Sequence, residues 1–236
     1  MDADQLLSSL RGGILRDTDA QAPLWATPRL VDCLNEAYLE FAEETLIIRD
    51  STSSVTTITL EEGVAEYEYD RAILSVLTAR IDGTSTNLQR VGNSELDGSS
   101  AAVGTYEWLE ALNAQYPEGG TPQAFTTDES LYLLRVYPTP LAADAGKEIR
   151  LRVARLPVEL IDAMDLSTEI EIPRQYVMGI AHGAAARAYS DQDADGGDLT
   201  NETKHRNKFL EYVARAKKGM RRQMFQPLTW RFGNGG

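Results

Sequence analysis

The sequence predicts an α+β protein in which a helical bundle, formed by N- and C-terminal helices, carries an inserted, mostly antiparallel β domain. Apolar residues recur at helical spacing near both ends of the chain, whereas the middle is rich in alternating, β-branched segments. The last stretch has no periodic apolar pattern. With 236 residues, of which 42% are hydrophobic, the chain is long enough to bury a core. We expect bundle helices at 1–46, a β domain at 47–160, further bundle helices at 161–220, and an extended C-terminal tail at 221–236.

Charge is distributed unevenly along the chain. The formal net charge is -13, yet no acidic residue follows Glu211. Removing the six basic residues beyond that point leaves -19 for residues 1–211. Phosphate contacts require clustered Lys and Arg, so the acidic body argues against a general nucleic-acid binder. The basic end also contains Phe225, Trp230 and Phe232, and large exposed rings favour docking onto a partner over a frayed terminus.

Cysteine content and hydropathy limit the cellular context. A single cysteine, Cys33, excludes an internal disulfide and a Cys-based zinc site. The acidic N-terminus lacks the apolar core of a signal peptide. No run reaches the roughly 18 apolar residues of a membrane span. We expect a reducing compartment and no membrane partner.

Two helices are predicted before the β domain. The first runs from Asp4 to Arg11 and is expected to stop at the paired glycines 12 and 13. In the second, Thr27 serves as N-cap and Pro28 occupies the first helical position. Apolar residues from Leu30 onwards then face the core over about five turns.

Alternating segments predict the strands of the β domain. Residues 55–60 and 64–69 flank a turn and read as a hairpin. Residues 73–81 form a further strand, and 87–91 an edge strand. A short helix is expected at 106–115, and strands follow at 123–127, 130–137 and 148–156. We expect a small sandwich or a curled sheet.

Two helices are predicted to follow the β domain. The first starts at Pro173 and has small residues, Gly183 to Ala186, that allow close helix contact. The second places one stripe inward, namely His205, Phe209, Tyr212, Val213, Ala216 and Met220. The chain is expected to leave the bundle after about Met220.

The order of these elements resembles the head-to-tail adaptor, or neck connector, proteins of tailed bacteriophages. The resemblance is carried by the early helix from Trp25 to Ala37, the strand from Leu131 to Pro140, and the segment from Arg155 to Leu160. It continues in the stretch from Gly183 to Asp195 and the following helix with Phe209. It spans roughly residues 25–220.

This resemblance implies a structural virion protein of the neck, made in the host cytoplasm and without catalysis. Twelve identical subunits, in the usual case, would form a ring that joins the portal to a tail or nozzle protein. Duplex DNA would pass the channel without sequence-specific binding during genome ejection. The C-terminal extension would dock on the portal through Arg221, Arg222, Phe225, Trp230, Arg231 and Phe232.

One acidic loop fits a calcium-binding pattern and supports an alternative function. Asp191, Asp193 and Asp195, followed by Gly196 and Glu202, match the EF-hand spacing between two helices. The alternative is therefore a calcium-binding module. A solvated loop in which Asp191 or Asp198 caps a helix is the simpler interpretation, because Asp198 replaces the usual apolar residue and no second loop exists.

No motif predicts an enzyme. His182 and His205 lie in predicted helices and are expected to be packed or on the surface. Nucleophile elbows, Walker loops and dinucleotide fingerprints are absent from the sequence. A β-domain hydrolase would need a carboxylate pair, and no Asp or Glu is singled out for one. We expect no cofactor other than the Ca²⁺ of the alternative.

Overall fold

The computed structural model describes residues 1–19, 23–91, 118–127, 130–191 and 198–224. For residues 223 and 224 it describes the backbone alone. It is a mixed α+β structure, which confirms the predicted class. The chain divides into two compact units. Met1–Ile47 and Pro157–Gly236 belong to the first, helical unit, and Ile48–Leu156 forms the second, which contains every strand found among the described residues.

The described residues of the first unit form four α-helices. They are α1 (Ala3–Ser8), α2 (Thr27–Thr45), α3 (Arg174–Ser190) and α4 (Leu199–Met224). A π-helix, Ser9–Leu15, continues directly from α1.

The prediction that the first helix stops at Gly12 and Gly13 is wrong. The chain passes both glycines in wide π-type turns and ends only at Arg16, whose φ is 57°. Leu10 and Leu15 on either side are both buried. Their packing holds the turn together, so the flexibility of the glycines does not end the helix.

The predicted cap of α2 is also wrong. Ala26 occupies the N-cap position and makes no side-chain hydrogen bond to the helix. The Thr27 hydroxyl instead accepts a hydrogen bond from Arg11 Nη2 at 3.2 Å. The same guanidinium group donates to Asp17 Oδ2 at 2.9 Å. The Thr27 hydroxyl, which the sequence pattern predicts as a helix cap, therefore accepts a tertiary hydrogen bond instead.

Two four-stranded sheets form the second unit. One has β8 (Glu148–Arg155) paired with β1 (Arg49–Asp50), β2 (Thr57–Thr59) and β4 (Ile73–Ile81). The other has the order β3 (Glu66–Glu68), β7 (Leu133–Tyr137), β6 (Ala124–Thr126) and β5 (Gln89–Arg90). All pairs are antiparallel except β5 with β6.

The predicted hairpin between residues 55–60 and 64–69 does not form. Strand β2 pairs with β8, and β3 pairs with β7 in the other sheet. The intervening turn is held from outside, since Gly63 N donates to Pro140 O at 3.0 Å and Leu60 N to Lys147 O at 2.8 Å. Residues Ser54–Thr56 form a 3₁₀ turn, so the strand begins later than predicted.

The remaining predicted strands are present. Strand β4 has the predicted bounds, and β5 lies at the edge of its sheet as expected. Apolar side chains of both sheets form one core, which includes Ile58, Tyr67, Val76, Phe125, Leu134 and Ile149. The helix predicted at 106–115 lies outside the described residues.

A buried ion pair joins β1 to β8. Arg155 Nε donates to Asp50 Oδ2 at 2.7 Å, and both side chains are less than a tenth exposed. Backbone N–H groups of Thr52 and Ser53 also donate to the Asp50 carboxylate. Burial opposes ionisation of this carboxyl, but these hydrogen bonds outweigh it and hold the pKa of Asp50 well below its usual range.

Candidate functional site

Helix α4 is held against α3 by an unusually close contact at two glycines. A Cβ added to Gly183 would lie 2.7 Å from Phe209 Cδ2 and 2.9 Å from Ala37 Cβ. One added to Gly179 would lie 2.7 Å from Tyr212 Cβ. The close contact predicted at Gly183 is confirmed, and Gly179 extends it by one turn. The backbones can approach only because these positions lack a side chain.

Arginine and glutamate side chains link α2, α3 and α4 beside this contact. Arg206 donates to Glu40 from both terminal nitrogens, at 2.7 and 3.0 Å. Arg187 bonds the same carboxylate and also contacts Glu36 at 3.1 Å. Burial would raise the pKa of Glu40, but the hydrogen bonds from Arg206 and Arg187 outweigh it, so the pKa is lowered. One carboxylate thus connects three helices.

The far end of α4 carries the basic residues. The helix extends to Met224, beyond the end predicted near Met220. Arg221 and Arg222 therefore lie in its last turn, where they are exposed and where cations interact favourably with the helix dipole. The other predicted docking residues, Phe225, Trp230, Arg231 and Phe232, lie outside the described residues.

Earlier basic residues of α4 are partly engaged within the subunit. Lys217 Nζ contacts Glu44 Oε2 of α2 at 2.6 Å. The Arg215 guanidinium lies over the Tyr212 ring, 5.1 Å from its centroid. For Lys218, Arg221 and Arg222, the described part of the chain offers no carboxylate in ion-pair contact. The basic residues at the end of the helix are therefore available for contact with a partner.

A loop of the helical unit exposes apolar side chains. Val158 is 58% exposed, Leu160 45% and Met164 93%. They lie within seven residues of one another. Grouped exposed apolar side chains of this kind mark interaction surfaces more often than isolated ones do.

The residues of the calcium-like loop are only partly described. Asp191 ends α3 and forms an ion pair with Arg29 of α2. Glu202 lies in the first turn of α4, whereas Asp193 and Asp195 lie outside the described residues. Asp198 caps α4 by accepting from Asn201 N at 3.0 Å, as the simpler interpretation predicts. Among the described residues, no group of three His, Cys, Asp or Glu side chains is placed to hold a metal.

The two histidines are brought together by α3 and α4. His182 Nδ1 and His205 Nδ1 are 3.0 Å apart, and the rings stack with centroids 5.2 Å apart. The Tyr189 ring also stacks with His205, with centroids 5.7 Å apart. The expectation of packed or surface histidines is met for each residue, but their pairing was not predicted.

A family model described as SU10 adaptor protein matches residues 1–231. The chain belongs to this adaptor family. The resemblance to phage head-to-tail adaptors is therefore confirmed over nearly the whole sequence. A search of the curated proteins found no match.

Membership gives the adaptor a structural role in a bacteriophage virion. A structural family of this kind implies a protein that is not an enzyme, and it indicates interaction with portal and tail components. In the described part of the chain, the helices are too short or too polar to cross a bilayer.

Proposed function

We propose that this adaptor forms a homo-oligomeric ring, of twelve subunits, in the neck of the virion, where it joins the portal to the tail and leaves a channel for duplex DNA. The observation that carries the proposal is the adaptor family match over residues 1–231. The free protein is monomeric or weakly associated and assembles on the portal.

The helical unit supports this proposal as a rigid platform for the portal contact. Helix α4 is fixed at its middle by Gly179, Gly183 and the Glu40 ion pairs. Its free end presents Arg221 and Arg222 to solvent. The residues that follow, up to Phe232, add three large aromatic rings. The proposed docking segment, aromatic and basic, thus continues directly from a rigid helix. Aromatic and Arg side chains contribute most of the binding energy in contacts of this kind.

Charge supports a channel that does not retain DNA. Residues 1–211 carry a formal charge of -19, counted from the -13 of the whole chain. Carboxylates repel the phosphate backbone and give no counterion release on contact.

Exposed Val158, Leu160 and Met164 provide an apolar surface suited to contact between subunits of the ring.

The portal contact is tested by truncation. A chain that ends at Met224 keeps all of α4 but loses Phe225, Trp230 and Phe232. We expect it to fold with an unchanged melting temperature and to lose co-sedimentation with portal rings. Leu131→Ala is the matched control, because it removes an 85% exposed apolar side chain from the β unit. Full portal binding by the truncated chain would refute docking by the tail.

A further inference from the structure

A basic pocket lies between the end of the π-helix, α3 and α4. Its volume is about 370 Å³, enough for a small ion together with several waters, each of which takes about 30 Å³. The side chains that matter for its chemistry are Arg16, His182, Tyr189, Lys204, His205 and Lys208. Of the described residues that line it, none is acidic.

Three cations line the pocket. Arg16, Lys204 and Lys208 are exposed, and none of the described carboxylates forms an ion pair with them. Lys204 and Lys208 are four residues apart on α4, a spacing at which like charges destabilise a helix. This concentration of positive charge is unexpected in a chain with a net charge of -13. An anion in the pocket would remove the repulsion.

The histidine pair forms the buried part of the pocket. His205 is 5% exposed, and its ring is nearly parallel to those of His182 and Tyr189, with centroids 5.2 and 5.7 Å away. With the Nδ1 atoms 3.0 Å apart, one nitrogen donates to the other, so both rings cannot carry a proton there. When both rings are neutral, the ring that accepts at Nδ1 carries its proton on Nε2 and can donate it to a ligand, whereas Nε2 of the other ring has no proton.

The electrostatic surroundings keep both rings neutral. Burial, together with His205, Lys208 and Lys204, lowers the pKa of His182 to about 4. Burial and the same two lysines lower the pKa of His205. Two tyrosines also face the pair: the Tyr212 ring lies 6.1 Å from the His182 ring, and Tyr189 lies beside His205. Burial and the negative charge of Asp198 raise the pKa of Tyr189, whereas the positive charge of Arg16 lowers it. Bound negative charge would reverse this balance.

We propose that this pocket binds an oxyanion of the phosphate class, with Arg16, Lys204 and Lys208 as charged donors over the histidine pair. Such donors make short, strong hydrogen bonds to phosphate oxygens. The same cations repel a divalent metal, so a two-histidine metal site is disfavoured. This site is separate from the portal contact proposed for the end of α4.

Histidine-labelled protein gives a direct test, since the chain has only His182 and His205. Inorganic phosphate is titrated at pH 6.5 against chloride at equal ionic strength, and the ring resonances are followed by NMR. We expect saturable shifts of both histidines with phosphate alone. Saturating phosphate should also raise the pKa of His182 above its value of about 4.

Variants locate the binding. Lys204→Gln with Lys208→Gln should weaken phosphate binding at least about tenfold, because each removes a charged hydrogen-bond donor. Lys218→Gln, an exposed lysine of the same helix outside the pocket, should leave affinity unchanged. Lys218→Gln should keep the parent melting temperature, and the double variant should keep or slightly exceed it, because it removes the repulsion between two lysines on α4.

A short DNA duplex identifies the source of the phosphate group. Displacement of bound phosphate by the duplex would assign the pocket to nucleic-acid backbone, and failure to displace it would assign the pocket to a free anion. Either result supports the proposal. It is overturned if phosphate shifts the histidines no more than chloride does, or if the double variant binds as tightly as the parent.

Discussion

Substituting Gly183 by alanine tests whether the close contact between α3 and α4 fixes the position of the basic helix end. The new Cβ would lie 2.7 Å from Phe209 Cδ2 and 2.9 Å from Ala37 Cβ, closer than the 3.0 Å that real Cβ contacts respect. Both neighbours are fully buried, so neither can move aside into solvent. The two helices must therefore separate.

The size of the effect follows from two opposing terms. Overpacking of this kind costs about 1–3 kcal/mol, and the absence of free space around Gly183 places it near the upper value. Alanine returns about 1 kcal/mol through its better helix propensity. We expect a net loss of about 2 kcal/mol, which corresponds to a fall of about 1 M in the urea midpoint for a typical slope.

Urea unfolding followed by far-ultraviolet circular dichroism measures this loss. Gly12→Ala is the matched control, because a Cβ there meets nothing within 4 Å and the residue also lies in a helical segment. The control should be neutral or slightly stabilised. If Gly183→Ala unfolds at the midpoint of the parent or above it, the steric argument is refuted.

Three further predictions concern charges. Glu40→Gln should cost about 1 kcal/mol at pH 7 in thermal unfolding, since two arginines lose their shared carboxylate. The folded pKa is lowered, so the stabilisation is present above the unfolded pKa of about 4.3 and is lost as pH falls through the folded value; a difference from the parent that is equally large at pH 3 would argue against the ion pairs. Asp50→Asn should cost about 3 kcal/mol in urea unfolding, because it leaves Arg155 buried without a counter-charge, and an unchanged midpoint would contradict this. Millimolar Ca²⁺ should release no heat in calorimetry, because Arg29 already engages Asp191; saturable binding would instead favour the calcium-binding alternative.

Much of the α+β class could be predicted because amphipathic periodicity is a local property. The stripe on α4 places Phe209, Val213 and Ala216 in the core as expected. Strand β4, a largely apolar segment ended by a turn, has the predicted bounds. In both cases the burial of one face determines the structure that the sequence pattern indicates.

The errors arise where tertiary contacts replace local ones. The two segments predicted as a hairpin pair with strands more than sixty residues further along the chain. The Thr27 hydroxyl accepts a hydrogen bond from Arg11 and does not cap its own helix. A local sequence pattern indicates only hydrogen-bond partners that are close in the sequence. At these positions the partners are distant in the sequence.

The candidate sites depend still more on the fold. Glu40 lies 147 residues from Arg187 and 166 from Arg206 along the chain. His182 and His205, on separate helices, become neighbours only because Gly183 lets α3 and α4 approach closely. Spacing in the sequence carries no signal for such pairs, although a glycine on the apolar face of a helix indicates where to look for close packing.

Electron microscopy of the adaptor mixed with portal rings tests the central proposal most directly. We expect the free chain to appear as small particles, and the mixture to show a second, twelvefold ring seated on the portal around an open channel. Portal rings that stay bare at saturating adaptor concentrations would contradict the proposed function.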